Sequence, residues 1–320
     1  MSVVPVFSII VPVYNVAAYL EAALNSLLGQ SFHDFEVVLV NDGSTDSSGN
    51  ICDGFVLKDE RFSVLHQENQ GQSIARNNGF KLSKGKYIYY FDADDLLDGD
   101  ALVEWLALFV EFSVDSILFG ATVFSDSNIK NERLVYQRGV GVVGESRESS
   151  GYVFDSLRLE TYFPSPCCYV TARKFLSKIS FNESVIHEDN TFYLDLFLQN
   201  SLNIRVVDKP YFKRRLRPDS TMTSTKTIKN ILGFQRCFDE SLEKYMASND
   251  SRYLAFSDSF QHQLIEVICL VDNGAVTLQN RKRILKNLQK LFIAKSYRFK
   301  TTIASLFPEL YLLRIKGRQN

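Results

Sequence analysis

Short strand-like runs alternate with helical stretches over the first 120 residues, and this alternation is the strongest constraint on the fold. The strand-like runs are rich in Val, Ile, Phe and Tyr, and the stretches between them have helical spacing of apolar residues. Strands that alternate with helices build a mostly parallel sheet. The predicted strands are Phe7–Val13, Glu36–Asn41, Phe62–His66, Tyr87–Phe91 and Ser116–Phe119, and the predicted helices are Ala17–Leu28, Ser47–Leu57, Gln72–Leu82 and Asp100–Phe112.

Polar residues gather at the ends of three predicted strands, in the segments Pro12–Asn15, Asn41–Ser44 and Asp92–Asp95. In α/β sheets, ligands bind outside the carboxyl ends of the strands. Closely spaced carboxylates such as Asp92 and Asp94 can hold Mg²⁺ or Mn²⁺ against the oxygens of a diphosphate. An acidic turn that caps the next helix would explain the same residues. Taken alone, this motif leaves both interpretations open.

Four blocks, in this order, resemble glycosyltransferase family 2. The resemblance spans about residues 7–100 and implies an α/β GT-A fold, whose mostly parallel, Rossmann-like sheet binds a nucleotide sugar. It also implies a UDP-sugar donor and a Mn²⁺ or Mg²⁺ cofactor. The blocks are Ser8–Asn15, Val40–Asp46, Asn69–Asn77 and the strand end at Asp92–Asp95.

The same resemblance implies which residues form the donor site. A strand-end Asp42 can accept the imide N–H of uracil, and Arg76 can brace carboxylates or phosphate through a bidentate fork. The structural alternatives are a turn with a helix cap at Asp42–Asp46 and an exposed helix charge at Arg76. The implied set is Pro12, Tyr14, Asn15, Asp42, Asn69, Arg76 and Asp92 for the nucleotide, with Asp94 as the metal ligand.

Two further segments extend the resemblance beyond residue 100. His187-Glu188-Asp189 resembles the Glu-Asp motif of the family, which implies Asp189 as the catalytic base and Glu188 as a supporting acid, with His187 as a neighbour. The alternative is a helix start enriched in acids for dipole reasons. Arg215 and Arg217 resemble a basic loop that stabilises the departing UDP, and a solvated basic loop is the alternative.

The chain is predicted to divide into a GT-A domain at residues 1–224 and a basic helical subdomain at residues 225–320. Polar, Gly-containing sequence from Val123 to Gly151 favours a hairpin or mobile loop. Helical patterns cover Ile228–Ala247, Ser257–Leu270 and Leu278–Lys295. Residues 281–320 hold eleven Lys or Arg and one acid, Glu309, whereas residues 1–280 hold 25 basic and 36 acidic residues.

The basic tail pairs Lys286 and Lys290 with Leu288 and Leu291, a pattern that suits an anionic membrane surface or a packed helix with a solvated face. No nucleic-acid recognition motif accompanies the charge. The five cysteines are odd in number and lack CxxC spacing, and no run approaches 18 apolar residues. We therefore expect a cytoplasmic protein, and the family resemblance implies peripheral contact with the cytoplasmic face of the inner membrane.

These observations predict an inverting glycosyltransferase that moves a hexose or N-acetylhexosamine from a UDP-sugar to a hydroxyl of a glycan or glycolipid acceptor. The resemblance implies lipopolysaccharide, O-antigen or capsule synthesis as the setting. Two alternatives stay open: an Asp-nucleophile phosphatase, which would carry its motif on the first strand, and a catalytically degenerate protein that binds sugar nucleotides. The joint presence of Asp92, Asp94 and Asp189 argues against the second.

Overall fold

The computed structural model describes residues 4–125, 136–139, 143–183, 186–217, 225–272, 276–294 and 299–309. The chain divides into two units. The first unit comprises Met1–Ser184 and Phe192–Thr223, and the second comprises Val185–Thr191 and Ser224–Asn320. The segment that carries Glu188 and Asp189 therefore groups with the C-terminal helices.

Strands and helices alternate through the first unit as the sequence pattern predicts. The strands are β1 (Phe7–Val13), β2 (Phe35–Asp42), β3 (Phe62–Gln67), β4 (Tyr87–Tyr90), β5 (Leu96–Leu97), β6 (Ser116–Leu118), β7 (Ala121–Phe124), β8 (Ser146–Glu148), β9 (Tyr169–Ala172), β10 (Asn203–Val206) and β11 (Phe212–Arg215). The helices are α1 (Ala17–Leu28), α2 (Ser48–Lys58), α3 (Gln72–Leu82), α4 (Ala101–Phe112), α5 (Ser149–Arg158) and α6 (Glu188–Phe197), of which α6 begins in the second unit.

The main sheet reverses its direction of growth next to β1. Its strand order is β3-β2-β1-β4-β9-β6-β10-β8, and β1 pairs in parallel with both β2 and β4. The chain thus adds β2 and β3 on one side of β1 and then crosses to place β4 on the other. Such a reversal opens a crevice at the carboxyl ends of the strands, where ligands bind in open α/β sheets.

A second sheet has three strands in the order β5-β11-β7, and its first strand in the chain, β5, comes soon after β4. Strand β11 pairs antiparallel with β5 and in parallel with β7. Because β5 follows the acidic segment Asp92–Asp95 directly, this pairing brings the basic residues of β11 to the same strand end.

Aromatic side chains fix α4 against the main sheet. Trp105 of α4 is fully buried, stacks on Phe119 with ring centroids 5.1 Å apart, and meets Tyr89 edge-on at 4.8 Å. Strand β1 is buried along almost its whole length, as a strand covered on both faces should be. Burial of each such side chain contributes about 1.5–3 kcal/mol, so the strand ends rest on a rigid base.

The segment Val123–Gly151, predicted to be a hairpin or mobile loop, bridges back to Ala121 in antiparallel fashion at Tyr136 and carries regular elements at both ends. Of its described part, Val123 and Phe124 belong to β7, residues 146–148 form β8, and α5 begins at Ser149, while residues 126–135 and 140–142 lie outside the described residues. The sequence pattern missed α5 because its buried face includes Ser149, Ser150 and Ser156 beside Tyr152 and Val153. Small polar residues inside the protein weaken the apolar periodicity that marks a helix.

The second unit is helical, as predicted, and consists in its described part of α7 (Ile228–Ser248), α8 (Ser251–Val271), α9 (Leu278–Ile293) and α10 (Phe299–Leu306). Helix α8 begins six residues before the predicted Ser257 because Asp250 caps it, its side chain accepting the N–H of Arg252. Thr227 forms a capping box with Asn230 at the start of α7. Within the described residues, no helix is both long and apolar enough to cross a membrane.

Candidate functional site

The loops after β1 and β2 are tied together by Asn15, which adopts a left-handed backbone with φ of 49°. Its side-chain oxygen accepts the N–H of Thr45 at 2.8 Å, and its own N–H donates to Ser44 Oγ at 3.2 Å. Beside it, Tyr14 exposes 49% of its surface, and Pro12 is half-buried. Asn15 therefore shapes the loop, while the Tyr14 ring is open for stacking.

Asp42 at the end of β2 is 3% exposed and accepts three hydrogen bonds from the end of β3 and the loop that follows it. The donors are Gln67 Nε2 at 2.7 Å, the Gln70 N–H at 2.9 Å and the Gly71 N–H at 2.8 Å. An ionised carboxylate offers about four acceptor positions, so Asp42 retains capacity for one further donor. The carboxylate thus holds the loop and can still read an N–H group.

The exposed Asn69 lies in the same loop and approaches Gly43 closely. A Cβ at Gly43 would lie 2.6 Å from the Asn69 backbone nitrogen, and Gly43 has a φ of +69°. Both the contact and the backbone angle require glycine here. The predicted residues Asp42 and Asn69 are therefore brought together at one strand end.

Arg76 of α3 is buried, with 4% of its side chain exposed, and forms an ion pair with Asp92 Oδ1 at 2.9 Å. Gln72 Nε2 donates to the same oxygen at 3.2 Å, and the guanidinium lies 5.0 Å from the centre of the Phe181 ring. Arg76 is thus not the exposed helix charge of the structural alternative. It braces Asp92, whose side chain keeps 23% of its surface exposed.

Asp94 pairs with the second predicted basic group. Arg217 Nε donates to Asp94 Oδ2 at 2.6 Å, and Arg215 Nε donates to the Asp94 backbone carbonyl at 2.8 Å. The Arg215 guanidinium also packs 4.6 Å from the centre of the Phe124 ring. Arg215 and Arg217 therefore meet the acidic strand end, while the rest of the basic loop, residues 218–224, lies outside the described residues.

Asp95 and Arg214 complete this cluster, and sequence reasoning assigned neither of them a role. Asp95 is 3% exposed and accepts the N–H of Arg215 at 2.6 Å. Burial, followed by the charges of Asp94 and Asp92, raises the pKa of the Asp95 carboxyl well above its usual range. Burial lowers the pKa of Arg214, but Tyr136, Asp95 and Asp92 outweigh it and raise that pKa. Arg214 lies two residues after the buried Phe212 in the same strand, and residues two apart in a strand point to the same face. This spacing is the one feature of the sequence that could have indicated its direction.

A divalent cation at the acidic strand end would have to be held jointly with a substrate. Within the described parts of the chain, no three His, Cys, Asp or Glu side chains cluster closely enough to share an ion. A cation at Asp94 would therefore need other oxygen ligands. Mg²⁺ is usually bound in this way, by one or two carboxylates together with substrate phosphates and water.

Glu188 and Asp189 form the first turn of α6 in the second unit. Asp189 Oδ1 accepts the backbone N–H of Asn190 at 3.0 Å and its side-chain Nδ2 at 3.1 Å. The preceding residue, His187, stacks on Phe234 of α7 with ring centroids 4.0 Å apart. Asp189 is therefore held by a local network, which the sequence pattern did not predict.

A model of the family described as glycosyl transferase family 2 matches residues 8–180. Glycosyltransferase GlyG of Streptococcus pneumoniae is 46% identical over 91 residues, which are 28% of this chain and 30% of GlyG. Minor teichoic acid biosynthesis protein GgaB of Bacillus subtilis is 27% identical over 230 residues, which are 70% of this chain and 25% of GgaB. The chain spans less than a third of the length of either relative.

Among solved structures, S. aureus TarS 1–349 in complex with UDP-GlcNAc is similar over 91% of both chains, with a TM-score of 0.62 and 22% identity. At this identity the likeness concerns the fold. The predicted GT-A sheet with a helical C-terminal region is confirmed.

Proposed function

This chain belongs to glycosyl transferase family 2, and we propose that it is an inverting glycosyltransferase that uses a UDP-sugar. It transfers a hexose or N-acetylhexosamine to a hydroxyl of a glycan or lipid-linked glycan. UDP-GlcNAc in the TarS complex and the teichoic acid role in the name of GgaB support this choice of donor and acceptor class.

The observation that carries this proposal is the convergence of polar groups at the β1/β4 reversal. The open ring of Tyr14, the remaining acceptor position of Asp42 and the braced Asp92 suit a nucleoside, with Pro12, Asn69 and Arg76 around them. Asp94 forms an ion pair with Arg217 and lies against Arg215, so a carboxylate and two guanidinium groups meet where a diphosphate would lie. We assign Asn15 to shaping the nucleotide loop.

In the proposed reaction, Asp189 takes the proton of an acceptor hydroxyl, and Glu188 supports the acceptor. The acceptor oxygen forms a bond to the anomeric carbon on the side opposite UDP, and the bond from that carbon to the diphosphate oxygen breaks. An α-linked donor thus yields a β-linkage. Arg215 and Arg217 stabilise the charge on the departing UDP. Asp94 would hold Mn²⁺ or Mg²⁺, which supplies further neutralisation of the diphosphate.

We also propose that the enzyme works in the cytoplasm on surface-polysaccharide precursors, in contact with the membrane surface. The chemistry of the acceptor supports this setting, because lipid-linked glycans reside at a membrane. The second unit offers a suitable surface on the outer side of α9, where Leu278, Leu285 and Ile293 are exposed beside Lys282 and Lys286.

The test is a screen of UDP-glucose, UDP-galactose, UDP-GlcNAc and UDP-GalNAc with Mn²⁺ and a panel of 4-nitrophenyl glycosides as acceptors, with UDP release as the readout. Asp189→Asn should lower the transfer rate about 10²- to 10⁴-fold, because the base is lost. Asp94→Ala should lower it about 10²- to 10³-fold and weaken the response to Mn²⁺.

Asp34→Asn is the matched control, since Asp34 is an exposed acid in the loop before β2. It should keep the activity of the unmodified protein. Full transfer by Asp189→Asn would remove that residue from the role of base, and an unchanged Mn²⁺ response in Asp94→Ala would remove Asp94 from the metal site. Phosphate release without UDP would support the phosphatase alternative.

A further inference from the structure

The turn before α6 has an unusual backbone. His187, the residue that precedes Glu188, adopts a left-handed conformation with φ of +69°. For a residue other than glycine this conformation is strained and persists only where surrounding contacts enforce it. Strained residues of this kind cluster at functional sites. The contacts that enforce it here come from α7.

Helix α7 holds this turn through four residues. The His187 ring stacks on Phe234 at 4.0 Å with an interplanar angle of 24°, and its Nε2 lies 3.4 Å from Asn230 Nδ2. Gly233 lies directly against the turn, because a Cβ there would sit 2.4 Å from the Ile186 carbonyl oxygen. The Cys237 thiol donates to the His187 carbonyl with a separation of 3.5 Å.

The hydrogen bonds of the His187 ring indicate which of its two nitrogens carries the proton. Asn230 Oδ1 accepts the N–H of Thr227 at 2.9 Å, so the amide of Asn230 presents its NH₂ group to His187 Nε2. Nε2 is then the acceptor, and the ring proton resides on Nδ1. Burial, with a smaller effect of the charge on Lys226, lowers the pKa of His187 to about 4, so the ring is neutral at pH 7.

Asn190 connects this turn to the acidic pair. Its backbone N–H and its side-chain Nδ2 reach the His187 carbonyl at 3.2 and 3.4 Å. The same Nδ2 donates to Asp189 Oδ1 at 3.1 Å. Asn190 is 6% exposed, so its amide is sheltered from competing water. One buried amide therefore links the carbonyl of the strained residue to the carboxylate of Asp189.

We propose that His187 and Asn190 are positioning residues for Asp189, and that α7 fixes the aim of the Asp189 carboxylate through them. The inference rests on the proposed function, because it takes Asp189 as the base. In this arrangement α7 locks His187, His187 places its carbonyl, and the amide of Asn190 transmits that placement to Asp189 Oδ1. The C-terminal helices thereby contribute to catalysis without contacting the substrate.

Three variants test this, each measured with the most active pair of UDP-sugar and 4-nitrophenyl glycoside, and also as UDP-sugar hydrolysis without an acceptor. His187→Gly keeps the left-handed backbone and removes the ring. Gly233→Ala pushes on the turn without changing it chemically. Both should lower kcat about 10²-fold, the effect expected of a displacement near 1 Å. The KM for the donor and the affinity for UDP by calorimetry should stay within about twofold, since these groups do not touch the donor.

Asn190→Asp is the third variant and supplies a readout that a structural role would not move. It replaces the donating amide with a negative charge beside Asp189, and a like charge disfavours ionisation. The acid limb of the pH–rate profile should therefore move to higher pH by about one unit. Gly54→Ala in α2 is the matched control for Gly233→Ala, because a Cβ at Gly54 meets nothing within 4 Å.

The outcomes separate this inference from the proposed function. If Asp189→Asn is inactive while His187→Gly and Asn190→Asp keep the unmodified kcat and pH profile, the positioning role is overturned and the base assignment stands. If Asp189→Asn is fully active, the base assignment itself is wrong. Should Gly233→Ala fail to fold, the other two variants decide, because unchanged UDP affinity shows that their donor site is intact.

Discussion

Each strand-end carboxylate of the proposed donor site has its own partner, and the partner determines what the carboxylate can do. Asp42 is held by amides, Asp92 by Arg76 and Asp94 by Arg217. An amide leaves the negative charge in place, whereas an arginine neutralises it. Asp42 is thus suited to reading an N–H group. Asp94 is suited to exchanging its ion pair with Arg217 for another cation when a charged substrate binds.

His187 should make the free energy of unfolding depend on pH. Its pKa is lowered to about 4 in the folded protein from 6.5, chiefly by burial. The unfolded chain therefore binds the proton first as the pH falls, and the free energy of unfolding should decrease between about pH 6.5 and pH 4. The full effect is on the order of 3 kcal/mol. Above pH 6.5 this residue should contribute no pH dependence.

Urea denaturation of the unmodified protein and of His187→Asn at pH 7 and pH 4.5 measures this effect. Asparagine tolerates the left-handed backbone and does not titrate. The loss of stability on acidification should be smaller in the variant. Equal losses in both proteins would show that His187 titrates normally in the folded state.

At the scale of elements, α3 depends on a glycine for its approach to the sheet. A Cβ at Gly79 would lie 2.4 Å from Ile10 Cγ2 of β1 and 3.2 Å from Val40 Cγ2 of β2. Gly79→Ala should lower the free energy of unfolding by about 1–3 kcal/mol, the usual cost of overpacking a core. Since Arg76 sits on the same helix, the affinity for UDP should fall as well.

Gly54→Ala provides the comparison for this experiment, because it also places alanine in a helix but in open space. It should raise the free energy of unfolding by up to about 1 kcal/mol through helix propensity. Chemical denaturation of both variants gives the two values. A Gly79→Ala variant as stable as Gly54→Ala would mean that α3 can shift away from the sheet at little cost.

Sequence patterns predicted the elements that bury clear apolar stripes, namely β1 to β4 and the helices between them. They did not predict α5, whose buried face includes serines, or α10, which is only eight residues long. The acids Asp92 and Asp94 could be recognised in the sequence as a motif. The role of Arg214 and the hydrogen-bond network around Asn190 could not. Those groups come together from distant parts of the chain or through side-chain geometry, which local spacing does not encode.

For the whole molecule, basic residues are concentrated in the last forty residues of the chain, and helix α9 in that region also exposes apolar side chains. Residues 281–320 carry eleven basic residues and one acid. Leu288 and Leu291 are buried, as the packed-helix alternative for this segment requires, and Lys290 pairs with Asp239. The exposed face of α9 instead presents Leu278, Leu285 and Ile293. A groove of about 580 Å³ beside it is lined by Leu242, Met246 and Ile293, among others.

Binding to vesicles of mixed phosphatidylglycerol and phosphatidylcholine tests this face by cosedimentation. Anionic vesicles should bind the protein at low salt and release it as salt rises, because surface charge is screened beyond about 8 Å at physiological ionic strength. Leu285→Gln combined with Ile293→Gln should weaken binding several-fold by removing buried apolar area.

Leu57→Gln serves as the control, since Leu57 is 89% exposed and lies on α2 of the first unit. Its vesicle binding should equal that of the unmodified protein. Equal loss in both variants, or equal binding to pure phosphatidylcholine, would contradict a specific role for the outer face of α9.

The place of β9 in the sheet sets the order in which this protein can be completed on the ribosome. β9 pairs with β4 and β6 on its two sides, yet its residues are synthesised some eighty positions after β4. Until Tyr169–Ala172 leave the exit tunnel, the free edge of β4 presents the run Tyr-Ile-Tyr-Tyr with unpaired backbone groups. Such an edge is a template for joining other chains. The nascent protein therefore passes through a stretch of translation in which chaperone cover matters most.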